Sequence, residues 1–339
     1  MLCPSFLLEV YSKAVLIKTL LFLSDPYFKR VRFAPISLLK VSILYLCEEY
    51  GSKRKGGMSQ TLMDAGQGFS LLMSVYSGEE ATQFDRALDS VMQATLLPKE
   101  VVLVCDGPLT EPLEAVISQY VQRFPNLFRL IRLEKNSGLG VALNVGLTHC
   151  SYELVARMDA DDVSYPERFE RQVEFMNAHP EVGVLSATIN DFMGEESNIL
   201  GRRELPMEHK AIYRFAKQRN PINHPVVIFR KSEVERVGGY EHCPYFEDYY
   251  LWVRMLLAGS RFHNLKESLL AFRMDKNALQ RRRGRRYAQY ELAFLKKIRQ
   301  IGFLSRGEWL KCVVTRVPLR FLPPSLLSFL YEHALRRTK

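Results

Sequence analysis

Apolar residues follow two alternating patterns between residues 69 and 187. Short continuous apolar runs, typical of strands buried on both faces, alternate with segments whose apolar side chains recur at helical intervals. The runs predict strands over 69–75, 100–105, 127–133, 153–158 and 182–187, and the periodic segments predict helices over 83–94, 110–124, 140–150 and 165–178. This order predicts an α/β fold, with a mostly parallel sheet and helices on both of its faces.

The pattern weakens after residue 190. Residues 220–229 predict a turn that leads into an apolar strand, and residues 245–259 predict an aromatic-rich amphipathic helix. From residue 281 the chain becomes basic, with helical segments interrupted by prolines. The second half of the chain is therefore less clearly defined by its pattern than the first.

Polar residues collect where the predicted parallel strands end. In open sheets of this kind, ligands bind beyond the carboxyl ends of the strands. A solvated loop is the alternative explanation, but it does not predict polar residues at the same end of several strands. Ser74, Val75 and Tyr76 end the first strand, Asp106 and Gly107 follow the second, and Asp159, Asp161 and Asp162 follow the fourth.

Residues 158–168 read MDADDVSYPER and place three carboxylates within four positions. Like charges this close repel one another, and keeping all three ionised is unfavourable unless a cation lies among them. An EF-hand is excluded, because Val163 and Ser164 stand where that loop needs an oxygen donor and a glycine. Asp159 and Asp161, directly after a buried strand, instead predict a site for Mg²⁺ or Mn²⁺ that leaves positions for substrate phosphates. We expect Asp162 to cap the turn into the following helix.

Two other kinds of site are excluded. Residues 136–146 contain Gly138 and Gly140, but Leu143 stands where a dinucleotide-binding loop needs a third small residue, and the segment follows the third strand. The six cysteines include no CxxC pair, which excludes a zinc cluster of that spacing and suits a reducing cytoplasm.

The net charge of +10 and the pI of about 9.3 favour anionic partners, although a merely basic enzyme has the same balance. Residues 281–286 read RRRGRR, but no recognition module accompanies them, so we expect no nucleic-acid partner. Residues 303–339 carry seven Lys or Arg and two Glu among apolar and aromatic residues. They predict a peripheral contact with an anionic membrane surface or, alternatively, a helical pair packed on the domain.

The first 68 residues form an atypical extension. The apolar runs 14–23 and 38–47 are too short to span a membrane, and a lysine interrupts each. The residues RKGG precede Met58, and their codons are purine-rich, like a ribosome-binding site. We therefore expect translation to start at Met58, with a genuine extension as the alternative.

Six segments resemble, in order and spacing, family 2 glycosyltransferases, and most of all the members that build bacterial exopolysaccharide such as amylovoran. The segments are LLMSVYSGE, EVVLVCDGP, LEKNSGLGVALNVGL, YELVARMDADDVSYPERFERQ, NPINHPVVIF and EDYYLWVRM. The resemblance covers residues 69–260. It implies a GT-A fold, a nucleotide-diphospho-sugar donor and inversion at the anomeric carbon. It also implies a donor half over 69–189, an acceptor half over 190–280 and a basic helical tail over 281–339.

The resemblance also implies roles for single residues. Asp159 and Asp161 match the DxD motif that holds the metal, and Asp248 matches the general base, with Glu247 as the competing base. His224 either contacts the acceptor or caps a turn. The donor-binding residues that the resemblance implies are Ser74, Val75, Tyr76, Glu80, Asp106, Gly138, Asp159, Ala160 and Asp161; the acceptor-binding residues are His224 and Glu247. Cys105 stands where the family often has an additional aspartate.

Two rival functions remain to be weighed. A nucleotidyltransferase that makes a nucleotide-sugar usually opens with a basic glycine-rich phosphate loop, whereas residues 74–80 here are acidic. A non-catalytic carbohydrate- or membrane-binding module would not need both an aspartate pair and a distant carboxylate. We therefore expect an inverting glycosyltransferase that uses a glycan or polyprenyl-linked acceptor at the inner face of the cytoplasmic membrane.

Overall fold

The computed structural model describes residues 68–274 and 282–321. The expectations about Met58 and about residues 1–67, and those about residues 322–339, lie outside the described residues. The strands are β1 Phe69–Val75, β2 Glu100–Cys105, β3 Phe128–Arg132, β4 Leu154–Met158, β5 Val163–Ser164, β6 Val182–Phe192, β7 Ile199–Arg203, β8 Ile228–Arg230 and β9 Arg261–Arg273. The helices are α1 Ala81–Met92, α2 Glu111–Arg123, α3 Leu139–His149, α4 Arg168–Ala178, α5 His209–Ala216, α6 Lys231–Arg236, α7 Glu247–Leu257, α8 Gly284–Gln300 and α9 Arg306–Arg316, with 3-10 turns at His224–Val226 and Pro318–Phe321.

All the described strands join one sheet in the order β3-β2-β1-β4-β8-β6-β9-β5, and β7 pairs with β6 beside this path. The first four strands are parallel, as the alternating pattern predicts. Strand β8 is antiparallel to both of its neighbours, β4 and β6, whereas β6 and β9 are parallel. The α/β class predicted from the sequence is confirmed, and the antiparallel pairs lie in the part of the chain where the sequence pattern weakens.

Side chains of the parallel strands alternate between two apolar layers. On β1 and β2, Leu72 and Val102 pack with α3 and α7, whereas Leu71 and Val101 pack with α1, α2 and α4. Successive side chains of a strand point to opposite faces, so a strand covered on both sides must be apolar at every position. This explains why continuous apolar runs predicted these strands correctly.

The strand ends are level with one another. Val75 pairs with Cys105, and Met73 pairs with Met158, so β1, β2 and β4 finish at the same edge of the sheet. The amide of Asp106 donates to the carbonyl of Val75 at 2.8 Å, which continues the ladder one residue past β2. The polar residues predicted to gather at this edge are therefore brought to it by strand register.

The basic helices α8 and α9 pack onto α7. Phe294 of α8 stacks on Phe246 at 4.7 Å between ring centroids. Glu291 is completely buried and accepts hydrogen bonds from Arg316 Nε at 2.8 Å and Arg320 Nε at 2.6 Å. A buried carboxylate with two guanidinium partners joins α8 to α9 and to the turn that follows. For residues 284–321, the packed helical pair is therefore the observed arrangement.

Among the residues that the structure describes, no helix has both the length and the apolar character needed to cross a membrane.

Candidate active site

A buried arginine neutralises the first aspartate of the DADD segment. Arg157, on β4, is 1% exposed. Its Nη1 donates to Asp159 Oδ2 at 2.7 Å, and its Nη2 donates to Asp159 Oδ1. This bidentate geometry suits the planar guanidinium and is the strong form of ion pair. The repulsion expected among the three carboxylates is therefore partly offset by a cation that the chain itself supplies.

Asp162 does not cap the following helix, so that prediction is wrong. Its Oδ1 accepts a hydrogen bond from the amide of Arg273 at 2.9 Å. The cause is strand β5, which pairs with β9 immediately after Asp162 and draws this carboxylate against the end of β9. Helix α4 begins later, at Arg168, where Glu167 occupies the capping position without a capping side-chain bond among the described residues. Asp162 therefore holds β9 to the DADD loop.

The other two carboxylates of the segment resist ionisation. Burial, and repulsion from Asp159, raise the pKa of Asp161 to about 6. Burial, followed by the charges of Asp159 and Asp161, raises the pKa of Asp162 well above its usual 3.8. Asp162 Oδ2 is buried and finds no hydrogen-bond partner within residues 68–274 and 282–321. A divalent cation at this point would favour the ionised form of these carboxylates and offset their mutual repulsion.

The carboxylate oxygens of this segment are suitable ligands for a hard divalent ion, but they are too few to complete its coordination. Asp159 and Asp161 flank the buried Ala160 and offer carboxylate oxygens, which Mg²⁺ and Mn²⁺ prefer. In the part of the chain that the structure describes, no group of three or more His, Cys, Asp or Glu side chains is arranged as a metal centre. An ion held here would need water or substrate oxygens to complete its coordination.

The residues after β1 form a surface turn beside this edge. Val75 is buried and Ser74 is half-buried. The ring of Tyr76 is 43% exposed, and the Tyr76 carbonyl accepts from the amide of Glu79 at 3.1 Å. Glu80 is exposed at the start of α1. An exposed aromatic ring at the end of a buried strand offers a flat surface to a ligand.

The carboxylate of Asp106 is hydrogen-bonded to the loop that precedes α3. Its Oδ1 accepts from the amide of Ser137 at 2.7 Å, and its Oδ2 accepts from the amide of Gly138 at 3.0 Å. Gly138 has a φ of +88°, which a glycine adopts at little cost. A carboxylate has about four acceptor positions, so Asp106 retains capacity for a ligand. Its observed contacts position the loop that enters α3.

Glu247 and Asp248 occupy the first turn of α7. Asn220 Nδ2 donates to Asp248 Oδ2 at 2.6 Å, which fixes the orientation of that carboxylate. Burial raises the pKa of Asp248, and burial followed by repulsion from Asp248 raises that of Glu247. Glu247 lies against α3, since a Cβ built on Gly140 would be 3.4 Å from Glu247 Cγ. Both carboxylates are thus shifted towards the pKa of a useful general base.

His224 is buried and already has a partner. Its Nε2 lies 2.8 Å from the hydroxyl of Tyr240, and its ring meets Trp252 edge-on at 5.9 Å. Burial, and the charge of Arg157, lower the pKa of His224 well below 6.5, so the ring is neutral at pH 7. Its segment adjoins β4, because the carbonyl of Val227 accepts from the amide of Arg157 at 2.9 Å.

Several residues of this site were missed by sequence reasoning. Arg157 was read as part of an apolar strand, although a charge inside such a run is itself a signal that a partner must lie nearby. Arg273, Asn220 and Tyr240 come from distant segments and carry no local signal. Arg157 joins the two groups of carboxylates electrostatically, because its charge acts on Asp248 as well as on Asp161.

Comparison with known proteins identifies relatives of the whole described fold. Residues 70–238 match the model of the family described as glycosyl transferase family 2. The chain is 39% identical to the amylovoran biosynthesis glycosyltransferase AmsE of Erwinia amylovora over 267 residues, which are 78% of this chain and 98% of that protein. It is 34% identical to an Escherichia coli UDP-Gal:α-D-GlcNAc-diphosphoundecaprenol β-1,3-galactosyltransferase over 269 residues, 79% of this chain and 97% of that protein.

Solved structures share the fold at low sequence identity. The mannosyltransferase PcManGT from Pyrobaculum calidifontis, in complex with GDP-Man and Mn²⁺, aligns with a TM-score of 0.55 at 17% identity, over 80% of this chain and 76% of its own. Residues 1–349 of S. aureus TarS, in complex with UDP-GlcNAc, align with a TM-score of 0.53 at 18% identity, over 78% and 73%. These neighbours confirm the GT-A-like fold. Together with the family match and the relatives, they lead to one conclusion: the chain belongs to glycosyl transferase family 2.

Proposed function

We propose that this glycosyltransferase inverts the anomeric carbon as it moves a sugar from a nucleotide-diphospho-sugar to a glycan acceptor in bacterial exopolysaccharide, capsule or O-antigen synthesis. The observation that carries the proposal is the presence of two separate carboxylate groups linked through Arg157. One group, Asp159 and Asp161, follows β4, and the other, Asp248, opens α7. The names of the relatives, which include a transferase that acts on diphosphoundecaprenol-linked GlcNAc, support a polyprenyl-linked acceptor.

The donor would lie across the ends of β1, β2 and β4. Tyr76 offers a ring on which the nucleotide base can stack, and Asp106 keeps spare acceptor positions for it. Cys105 is buried inside β2, so it is Asp106 that reaches the strand end. The remaining residues that we assign to the donor are Ser74, Val75, Glu80, Gly138, Asp159, Ala160 and Asp161.

Mg²⁺ or Mn²⁺ would be held by Asp159 and Asp161, together with oxygens of the donor diphosphate. When bound, such an ion stabilises the charge that develops on the departing diphosphate. The raised pKa of Asp161 and the unpartnered oxygen of Asp162 support a cation at this point. Arg157 orients the carboxylate of Asp159 and keeps part of its charge balanced.

Asp248 is assigned as the general base. Direct displacement needs a single carboxylate, on the face of the sugar opposite the leaving group, to take the proton of the attacking hydroxyl. The hydrogen bond from Asn220 orients the carboxylate of Asp248 without using all of its acceptor positions. Glu247, which packs against Gly140, is assigned to acceptor binding. His224 is hydrogen-bonded to the Tyr240 hydroxyl, so its role at the acceptor site would be to hold neighbouring side chains in place and not to contact the acceptor itself.

The first test uses a panel of nucleotide-sugars and the Asp248→Asn variant. We expect the wild type to release the nucleoside diphosphate from one donor slowly without acceptor and faster with it. Loss of the base should reduce transfer by about 10²-fold or more, with unchanged donor affinity by calorimetry. Glu247→Gln tests the competing base on the same turn, and it should weaken acceptor binding more than it slows transfer at saturating acceptor. Near-normal transfer by a folded Asp248→Asn protein would remove Asp248 from the mechanism.

The second test concerns the metal. We expect excess chelator to abolish transfer and added Mn²⁺ or Mg²⁺ to restore it, because the diphosphate loses its counter-charge without the ion. Calorimetry should also show Mn²⁺ binding that depends on the nucleoside diphosphate and is lost in Asp161→Asn. Full activity in excess chelator would contradict the assignment.

We also propose that the protein works at the inner face of the cytoplasmic membrane as a peripheral protein. Helix α9 and the turn after it expose Leu310, Val314 and Phe321, with Lys311 beside them. Apolar side chains flanked by lysine suit an anionic bilayer surface. This location would bring the active site to an acceptor anchored by a polyprenyl chain.

A further inference from the structure

The turn before α7 contains a tyrosine in a backbone conformation that normally needs glycine. The amide of Phe246 donates to the carbonyl of Cys243 at 2.7 Å, which closes a four-residue turn with Pro244 at its second position. Tyr245, at the third position, has a φ of +68° and is the single non-glycine residue with positive φ among those described. This is the form of a type II turn, whose third position favours glycine or asparagine. A bulky residue there is strained, and such strain concentrates at functional sites.

The strained residue is half-exposed and lies close in sequence to the proposed base. Tyr245 is 51% exposed and stands three positions before Asp248. Its ring is supported from behind by Tyr287 and Tyr290 of α8, at centroid distances of 5.1 and 5.7 Å. These ring contacts hold Tyr245 in place while about half of the residue stays exposed to solvent. A fixed, exposed aromatic face is suited to the apolar C–H face of a sugar ring.

Two arginines add positive charge, Arg286 next to the aromatic cluster and Arg282 near the proposed base. Arg286 lies over the ring of Tyr290 at 5.8 Å, and its Nε donates to the Tyr290 hydroxyl at 3.3 Å. Arg282 is exposed and lies within electrostatic range of Asp248. Arg286 is exposed beside the aromatic cluster, where its guanidinium can reach phosphate oxygens.

We propose that Tyr245 and Arg286 form the subsite for the acceptor's diphosphate-linked sugar, with the sugar ring on Tyr245 and the phosphates at Arg286. The inference rests on the proposed function and deepens it. It commits the acceptor to a sugar diphosphate, and it gives a reason for a tyrosine at a position where glycine would fit without strain. A diphosphate also occurs in the donor, so the experiment must separate the two sources.

The experiment measures steady-state transfer to two probes, an alkyl N-acetylglucosaminyl diphosphate and the alkyl N-acetylglucosaminide that lacks the phosphates. We expect Tyr245→Gly to raise the acceptor KM about tenfold for both probes, because a ring contact is lost. We expect Arg286→Gln to raise it about tenfold for the diphosphate alone, because a charge-assisted bond is lost. Neither change should alter the donor KM.

Four further variants separate the effects of the ring, the backbone strain and the charge. Tyr245→Phe keeps the ring and should retain the wild-type acceptor KM, whereas Tyr245→Asn accepts the positive φ without a ring and should behave like Tyr245→Gly. Tyr245→Gly should unfold at no lower urea concentration than the wild type. Leu257→Ala at the far end of α7 and Arg306→Gln on α9 are matched exposed controls.

Three outcomes would overturn the inference. The first is an unchanged acceptor KM in folded Tyr245→Gly and Tyr245→Asn, which would leave Tyr245 a packing residue. The second is a rise in donor KM with Arg286→Gln, which would assign that arginine to the donor. The third is a wild-type enzyme that hydrolyses its donor but transfers to neither probe. By contrast, absence of donor hydrolysis with every nucleotide-sugar would contradict the proposed function itself.

Discussion

At the residue scale, the site depends on charges buried inside an otherwise apolar sheet. Arg157 occupies a strand position that packing alone would fill with an apolar residue, and its guanidinium is held by Asp159. A buried ion pair is weak evidence for stability, since taking both charges out of water is unfavourable. Its value here is geometric: it sets the direction of a carboxylate that is proposed to bind metal. The aspartates themselves were predictable, because three acidic residues after an apolar run are conspicuous, whereas the contacts of Arg157 depend on folding.

His224 leads to a prediction about pH. Its pKa is lowered in the folded protein, so the unfolded chain binds the proton more strongly, and stability falls as the pH drops below about 6.5. Between pH 7.5 and pH 5.0 this residue should contribute a loss of at most about 2 kcal/mol in the free energy of unfolding, the limit for a ring that stays neutral in the folded protein. Urea denaturation at the two pH values should show that His224→Gln loses less stability on acidification than the wild type.

The matched control for this measurement is His242→Gln, since His242 is exposed on the loop before α7. That variant should follow the wild-type pH dependence. If His224→Gln and the wild type lose equal stability, the histidine is not held neutral by its surroundings.

At the element scale, the sequence predicted the strands and helices of residues 69–187 to within about three residues at each end, except that β6 continues to Phe192 instead of ending at residue 187 and that β5 was not predicted. Those elements are recognisable from the sequence because each strand is covered on both faces and each helix carries one apolar stripe. The later elements are harder to recognise. Strand β9 mixes exposed lysine and glutamate with buried leucines, and its pairing with β6 shifts register, so no simple alternation is visible. Strands β5 and β7 and helices α5 and α6 are short, and tertiary pairing decides them.

The turn after α6 leads to a prediction about two adjacent glycines. Asn144 of α3 bonds Tyr240 twice, since its Nδ2 donates to the Tyr240 carbonyl and its Oδ1 accepts from the Tyr240 amide, each at 2.7 Å. Gly238 and Gly239 precede this clamp with φ values of +82° and +69°. A Cβ on Gly239 would overlap Asn144 Oδ1, whereas one on Gly238 meets nothing within 4 Å among the described residues.

Alanine at these two positions should therefore have unequal effects. Gly238→Ala adds backbone strain alone and should lower the free energy of unfolding by about 1 to 2 kcal/mol. Gly239→Ala should lower it by about 1 to 3 kcal/mol more, because the clamp hydrogen bonds are displaced. Chemical denaturation of both variants tests this, and equal losses would mean that Asn144 adapts without cost.

At the scale of the whole molecule, the fold class and the family follow from the sequence because six ordered segments carry them. The basic tail illustrates what cannot be predicted in this way. Its composition suits either a membrane or a packed helical pair, and the choice for residues 284–321 depends on Glu291, whose arginine partners lie 25 and 29 positions further along the chain. The composition of the tail does not specify which acidic and basic side chains form ion pairs in the folded protein.

The continuity of the sheet has a consequence for how this enzyme moves. The predicted boundary between donor and acceptor halves, at residue 190, lies inside β6, and β6 connects through β8 to β4, the strand before Asp159. Within the described residues, backbone hydrogen bonds therefore cross from one half to the other without a flexible joint. Hinge closure, in which two lobes swing together around a substrate, needs such a joint. Opening and closing would instead come from the loops at the strand ends, and the separation between the proposed metal pair and the proposed base would then stay constant.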